Sequence, residues 1–190
     1  IYDKPENRFL PYYEYFKNPA LPNLNNMRIY IILQDKSSNY WIGTQNGLYK
    51  INLETSEVEV FQKELGIKNQ QISANLVYSL LEDSEGLIWI ATVGGLDVYN
   101  PITKKMYHFN KERNGLSDDF VITLCEDAKG RIWIGTSTYV NVYDKKDSTF
   151  MFYSQAEGIP NNRIFEIRKD KNNDIWVATG KEFGLSLINI

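Results

Sequence analysis

Val77-Tyr78-Ser79-Leu80-Leu81-Glu82-Asp83-Ser84-Glu85-Gly86-Leu87-Ile88-Trp89-Ile90-Ala91-Thr92 is the stretch whose reading decides the fold. A short apolar run, Val77 to Leu81, gives way to Asp83-Ser84-Glu85-Gly86. An Asp that caps its own backbone and a Gly free to take positive φ predict a tight turn there. Leu87 to Ala91 is the next strand, and Val93-Gly94-Gly95 turns the chain again. Leu96 to Tyr99 is a third strand, Asn100 to Thr103 a turn, and Lys105 to Phe109 a fourth strand. Asn114-Gly115-Leu116-Ser117 leads onward.

The element recurs. The four tryptophans are Trp41, Trp89, Trp133 and Trp176, at spacings of 48, 44 and 43. Each has an Asp six residues before it: Asp35, Asp83, Asp127 and Asp170. Each is followed by an aliphatic residue, a small one and Thr: Ile42-Gly43-Thr44, Ile90-Ala91-Thr92, Ile134-Gly135-Thr136 and Val177-Ala178-Thr179. Four short strands in a repeat of roughly 40–45 residues mark a β-propeller blade. The predicted fold is therefore all-β, with blades of four antiparallel strands forming a partial propeller of about four blades.

Blades pack face to face, so inner strands such as Ile29 to Leu33 and Val77 to Leu81 are expected to be apolar on both sides. The Trp should fill the space between neighbouring blades, and the Gly or Ala two residues later should let backbones approach. The Asp reads as a turn former and not as a catalytic carboxylate, because it stands at the same turn in every repeat.

The register also describes the ends. Residues 1–26 lack an Asp–Trp element; Ile1-Tyr2-Asp3 matches Val98-Tyr99-Asn100, and Arg8 to Phe16 matches an outer strand. Gly184 to Ile188 matches the third strand beginning at Gly95. The expected division is an outer-strand remnant of a preceding blade at 1–26, blades at 27–65, 76–112 and 120–156, and a blade without its outer strand at 162–190. Either the first strand closes a small four-bladed ring or the piece is an arc of a larger propeller. The arc is the favoured reading, since the repeats carry no adaptation to a tight ring. Its open edges and faces would meet other blades of the same protein or a second copy.

A net charge of -3 argues against a nucleic-acid surface. Cys125 is the only cysteine, so no internal disulfide forms, and no apolar run reaches membrane-spanning length. No membrane contact is expected from these residues. One His and one Cys argue against a zinc site. A Ser-His-Asp centre would have to use His108, which falls in an outer strand. No catalytic residue, metal or cofactor is expected.

Val77 to Thr92, followed by Gly94-Gly95-Leu96 and Tyr99-Asn100-Pro101, resembles the two-component regulator propeller repeat. So do Cys125-Glu126-Asp127 through Thr136 and the Asn114 to Ser117 linker. The resemblance covers the chain from Met27 onward. It implies the periplasmic sensor region of a hybrid two-component system, with a membrane helix, histidine kinase, receiver and DNA-binding region beyond these residues. Many sensors of this kind respond to oligosaccharides, so the resemblance implies an oligosaccharide ligand. The family motif is structural and brings no ligand residues with it.

Ligands of propellers usually meet one face, built by the loops entering the inner strand and the loops joining second and third strands. Here those include 70–75, 113–119, 161–163, 45–46, 93–94, 137–139 and 181–183, which are rich in Asn, Gln, Asp and Arg. Arg113, Asp118, Tyr139, Asn161 and Arg163 are the candidate ligand-binding residues. Tyr139 stands out because other repeats have Gly47 and Gly95 at its position. Three other irregularities draw attention: the long first linker, the insertion before Gly184, and Glu166/Arg168, charged where other inner strands carry Ile31/Leu33, Ser79/Leu81 and Thr123/Cys125. An ion pair or a wet central channel would account for the last.

Overall fold

In the computed structural model, residues 2–3, 5, 7–9, 22–24, 26–64, 66, 70–159, 163–180 and 184–188 are described. Blade 1 is the antiparallel meander β3 (Ile29–Gln34), β4 (Tyr40–Thr44), β5 (Gly47–Ile51) and β6 (Val58–Phe61). Blade 2 is β7 (Val77–Glu82), β8 (Ile88–Thr92), β9 (Gly95–Asn100) and β10 (Lys105–Phe109). Blade 3 is β11 (Val121–Glu126), β12 (Ile132–Thr136), β13 (Val140–Asp144) and β14 (Thr149–Tyr153). Blade 4 is β15 (Ile164–Lys169), β16 (Ile175–Thr179) and β17 (Leu185–Ile188). The first strands β3, β7, β11 and β15 lie side by side and form the inner edge. A separate hairpin joins β1 (Tyr2–Asp3) to β2 (Arg8–Phe9). No strand among the described residues closes blade 4.

That first hairpin has the make of a third-to-fourth strand turn. Tyr2 faces Phe9 as Ile51 faces Val58, Tyr99 faces Met106 and Tyr143 faces Phe150. The residue at the same place in each turn is left-handed: Asn7, Ser56, Lys104 and Ser148, with φ of 49°, 62°, 54° and 58°.

The Asp does more than form the turn. Asp83 Oδ1 accepts the N–H of Glu85 and of Leu87, both at 2.9 Å, as a capping side chain should. Its Oδ2 accepts the indole N–H of Trp89 at 2.8 Å. The same bond joins Trp41 to Asp35 at 2.8 Å, Trp133 to Asp127 at 2.9 Å and Trp176 to Asp170 at 2.9 Å. A buried indole N–H needs an acceptor, and the six-residue spacing supplies one across the hairpin. The Thr of the pattern is explained in the same way. Thr44, Thr92, Thr136 and Thr179 donate through Oγ1 to the carbonyls of Gly47, Gly95, Tyr139 and Gly184, closing the turn between second and third strands.

Between blades, Trp41 meets Tyr99 at 5.7 Å and Trp89 meets Tyr143 at 5.7 Å, centroid to centroid. A Cβ on Gly43 would lie 2.8 Å from Val77 Cγ1, and one on Gly135 would lie 2.7 Å from Ile164 Cγ2. At these two places the small residue is what lets neighbouring blades touch. A second tie runs through the residue before the Asp. Glu82 accepts the Lys36 N–H at 2.9 Å, and Glu126 accepts the Ser84 N–H at 2.8 Å and its hydroxyl at 2.7 Å. Blade 4 has Lys169 at that position, so the tie is not repeated from blade 3 to blade 4.

The expectation of inner strands covered on both sides fails at the two outer blades. In β7 and β11, Val77, Leu80, Val121 and Leu124 are buried against the preceding blade. Their counterparts in β3, Ile29 and Ile32, are 43% and 58% exposed, because no described blade precedes them. The opposite face opens at blade 4. Trp41, Trp89 and Trp133 are buried, whereas Trp176 is 37% exposed beside exposed Leu185 and Leu187. Glu166 and Arg168 lie on this open face and pair with each other at 3.0 Å, so neither of these two charges is buried. Glu166 also accepts the Thr123 hydroxyl at 3.2 Å.

Candidate functional site

Four equivalent hydrogen bonds assemble one face of the molecule. The loop between second and third strands donates to the residue that precedes the inner strand: Gln45 to Arg28, Val93 to Leu76, Ser137 to Phe120 and Gly180 to Arg163. The loops entering the inner strands and the loops joining second to third strands are thereby one surface, the loop face.

Just inside this face, every inner strand carries a β-bulge. The shifts fall between Ile29 and Ile31, Val77 and Ser79, Val121 and Thr123, and Ile164 and Glu166. The extra residues are Tyr30, Tyr78, Ile122 and Phe165. Bulges re-aim side chains near functional surfaces, and here two of the bulged residues, Tyr30 and Tyr78, bring their rings together. Tyr30 lies 5.0 Å from Tyr78, and Tyr78 lies 5.4 Å from Phe120, all three half-buried.

Among the loops of blade 1 a polar cleft of about 520 Å³ is lined by Met27, Asn46, Tyr49, Gln62, Glu64 and Asn75. Gln62 bonds the Asn46 carbonyl through Nε2 at 2.6 Å, Asn75 Oδ1 accepts the Lys63 N–H at 2.8 Å, and Gly47 donates to the Asn75 carbonyl at 2.7 Å. These bonds pin the start of the long first linker to blade 1. Burial pushes the Tyr49 phenol above its usual range, so it stays a neutral hydroxyl. Amide, carboxylate and phenol groups around a cleft suit a ligand that presents hydroxyls.

The sequence candidates lie elsewhere on the loop side. Arg113 is exposed on a one-turn helix, Lys111–Asn114, capped by Asn110 and ended by left-handed Gly115. Asp118 is committed to the loop itself, accepting from Phe120 N–H at 2.8 Å and Ser137 Oγ at 2.7 Å. Tyr139 packs on Phe152 at 5.4 Å, and the Arg163 guanidinium lies 5.3 Å from the Phe165 ring centre. None of these four lines the cleft. Asn161 and the insertion at 181–183 lie outside the described residues. Met27, Tyr49, Gln62 and Glu64 were missed because their importance comes from being adjacent to Asn46 and Asn75 in space. The aromatic row was legible in part: Tyr30 and Tyr78 hold the same repeat position.

His108 reaches Asp97. This carboxylate is fully buried, with Oδ2 accepting the Ser73 N–H at 2.7 Å and Oδ1 accepting the Ser73 hydroxyl at 2.6 Å. His108 Nδ1 meets Oδ1 at 2.7 Å. Ser, Asp and His meet here, but the Asp lies between the other two, so no base contacts a nucleophile. In blade 3 the same positions hold Asn141, Ser117 and Phe152, and Asn141 bonds Ser117 without any charge. Blade 2 has a carboxylate and, with it, a histidine.

The hydrogen bond to Asp97 raises the His108 pKa above its ordinary 6.5, against a smaller opposing effect of burial. A raised folded-state pKa stabilises the fold fully below the unfolded value and loses that contribution as pH rises through the folded value. The native protein is therefore expected to lose stability as pH rises above about 6.5. His108→Phe should flatten this dependence. Urea unfolding on both sides of that window checks it, and an unchanged slope in the variant would refute the assignment.

The model of the two component regulator propeller matches residues 23–46, 71–94, 115–138 and 158–181, just over half the chain. No curated protein matches. Among solved structures, the extracellular domain of BT4673 from B. thetaiotaomicron, assigned to a hybrid two component system, is similar with a TM-score of 0.70 and 26% identity, over 88% of this chain and 22% of that one. A second structure of that domain, described as belonging to a one component system, gives a TM-score of 0.69 and 25% identity over 90% of this chain and 22% of that one. The chain thus spans about a fifth of that extracellular domain. Virginiamycin B lyase from Staphylococcus aureus shares the fold alone, with a TM-score of 0.63 at 15% identity over 90% of this chain and 58% of that one. No helix among the described residues is long and apolar enough to cross a membrane. Four matched repeats, each carrying the Asp–Trp bond and the loop-face bond, place this chain in the two component regulator propeller family.

Proposed function

We propose that this chain is part of the periplasmic sensor propeller of a hybrid two-component histidine kinase, and that its loop face receives an oligosaccharide. The family and the extracellular BT4673 domain support an extracytoplasmic sensor. The observation that carries the ligand class is that the loop side holds both an aromatic row, Tyr30–Tyr78–Phe120, and a cleft of Asn, Gln, Glu and Tyr groups. Aromatic faces stack on the C–H surface of a sugar, and the amides and Glu64 match its hydroxyls.

Calorimetric titration with an oligosaccharide panel tests this. A saccharide that binds should lose at least about tenfold in affinity, roughly 1.4 kcal/mol, in Tyr78→Leu and in Glu64→Ala. Glu64 is exposed, so its loss should leave the fold intact. No heat with any saccharide, or unchanged affinity in both variants, would reject the reading.

A second reading, an arc that only packs against further blades, is favoured by the open apolar face of blade 4. On that reading Trp176, Leu185 and Leu187 are covered by another blade or a second copy. The titration separates the two readings, since an arc that only packs gives no heat with any saccharide.

A further inference from the structure

Blades 1, 2 and 3 each end in an outer strand, β6, β10 or β14, and no described strand pairs with its far side. Such an edge offers free N–H and C=O groups to any extended chain, and soluble proteins guard it with charges, lysine above all. Two of the three edges are guarded. β6 carries Glu59, and β10 carries Lys105 and His108. The third is not. β14 reads Thr149-Phe150-Met151-Phe152-Tyr153, without an Asp, Glu, Lys, Arg, His or Pro.

This edge also exposes two large apolar side chains, Met151 at 46% and Phe152 at 56%, whereas β6 exposes none. Neighbours along a strand point to opposite faces, so the apolar surface continues around the edge. The strand is held firmly from within. Phe150 packs on Tyr143 at 4.7 Å and Phe109 at 5.7 Å, and Tyr153 stacks on Trp133 at 6.0 Å. A preformed edge spends little entropy on pairing. Its sequence also reads nearly alike in both directions: hydroxyl, Phe, Met, Phe, hydroxyl. About a two-fold axis beside Met151, an antiparallel copy sets Phe150 against Phe152 and Thr149 against Tyr153. Aromatic cross-strand pairs of this kind are stabilising. A two-fold interface requires such a self-complementary patch, and here no like charges meet. The same turn about β10 would bring two copies of Lys105 and His108 into one ribbon.

We propose that β14 is a dimer edge: it pairs antiparallel with β14 of a second copy and joins the two four-stranded sheets of blade 3 into one. None of its residues lines the loop-side cleft, so the proposal does not depend on saccharide binding. It uses a strand edge and not the open face of blade 4, where Trp176, Leu185 and Leu187 are exposed.

Sedimentation velocity over a concentration series, with disulfide trapping, is the test. The expected result is a reversible monomer–dimer equilibrium, weakened at least about tenfold in Met151→Lys, which sets two like charges opposite each other. Tyr107→Lys, the same place on β10, should leave it unchanged. Directly opposed strand residues lie about 4.5–5.5 Å apart between Cα atoms, a span that a disulfide bridges. Met151→Cys should therefore give a covalent dimer on mild oxidation, while Tyr107→Cys and the wild type, with Cys125 alone, should not. If Met151→Lys fails to fold, Met151→Cys decides. A monomer at every concentration would leave β14 to some other polypeptide and overturn the proposal. So would a dimer that Leu185→Lys breaks and folded Met151→Lys spares, or a Met151→Cys protein that cross-links no better than Tyr107→Cys.

Discussion

Trp89→Ala is expected to destabilise the protein by about 3–5 kcal/mol, the range for removing a large buried aromatic side chain. Trp89 is fully buried at the joint between blades 2 and 3, where it meets Phe109 and Tyr143. Its removal would leave a cavity walled by two blades and would free Asp83 Oδ2 of its indole donor. Trp176→Ala makes the same chemical change in blade 4 and should cost much less, because that ring already meets solvent on the open face. Chemical denaturation of both variants gives the comparison. Equal losses would show that the repeat tryptophans stabilise each blade internally and not the joints between blades.

Asp83→Ala is expected to cost a similar amount, about 3–5 kcal/mol, because it leaves charged and polar partners uncompensated in the interior. The carboxylate holds the backbone of Glu85 and Leu87, the Trp89 indole and the Lys145 ammonium. Burial by itself would raise its pKa, but the bonds from Trp89, Leu87 and Lys145 outweigh that and hold it below the ordinary 3.8. A depressed folded-state pKa gives stability that is present above the unfolded value and lost as pH falls through the folded value. Acid unfolding should therefore begin below about pH 3.8, and Asp83→Asn should weaken that acid dependence while keeping part of the hydrogen bonding. Urea melts of wild type and both variants across acidic pH check the claim. Asp170→Ala, at a half-buried site beside the open face of blade 4, should have a smaller effect.

Lys145 depends on the same carboxylate. Burial would lower its pKa, yet the bonds to Glu85, Asp83 and Glu126 push it well above the usual lysine value. Lys145 thereby links the Asp turn of blade 2 to the β13–β14 connection of blade 3.

The fold was legible because its strongest signals are local. Asp, Trp, small residue and Thr each answer a need within one hairpin: an acceptor for the indole, a filler for the joint, room for the next blade and a clasp for the turn. Such needs repeat with the blade, so they repeat in the sequence. What the sequence did not show depends on neighbours in space. Glu82 and Glu126 look like ordinary strand-end charges until each is seen holding the turn of the preceding blade. Glu166 and Arg168 look like buried charges until blade 4 is seen to have an open face. The candidate site follows the same division. Loop positions could be assigned to one face from the repeat, but the cleft is made by Gln62 and Glu64, which follow an outer strand, meeting Asn46 and Asn75. Tyr139, chosen for breaking the glycine pattern, keeps the Thr136 clasp through its own carbonyl without a left-handed backbone.

The central claim is that the Asp–Trp bond is a structural joint, closed at three interfaces and open at the fourth blade. Hydrogen exchange of the four indole N–H groups, followed by NMR, tests it most directly. Slow exchange is expected for Trp41, Trp89 and Trp133, and markedly faster exchange for Trp176. Equal protection of all four, or rapid exchange at any of the three buried sites, would contradict it.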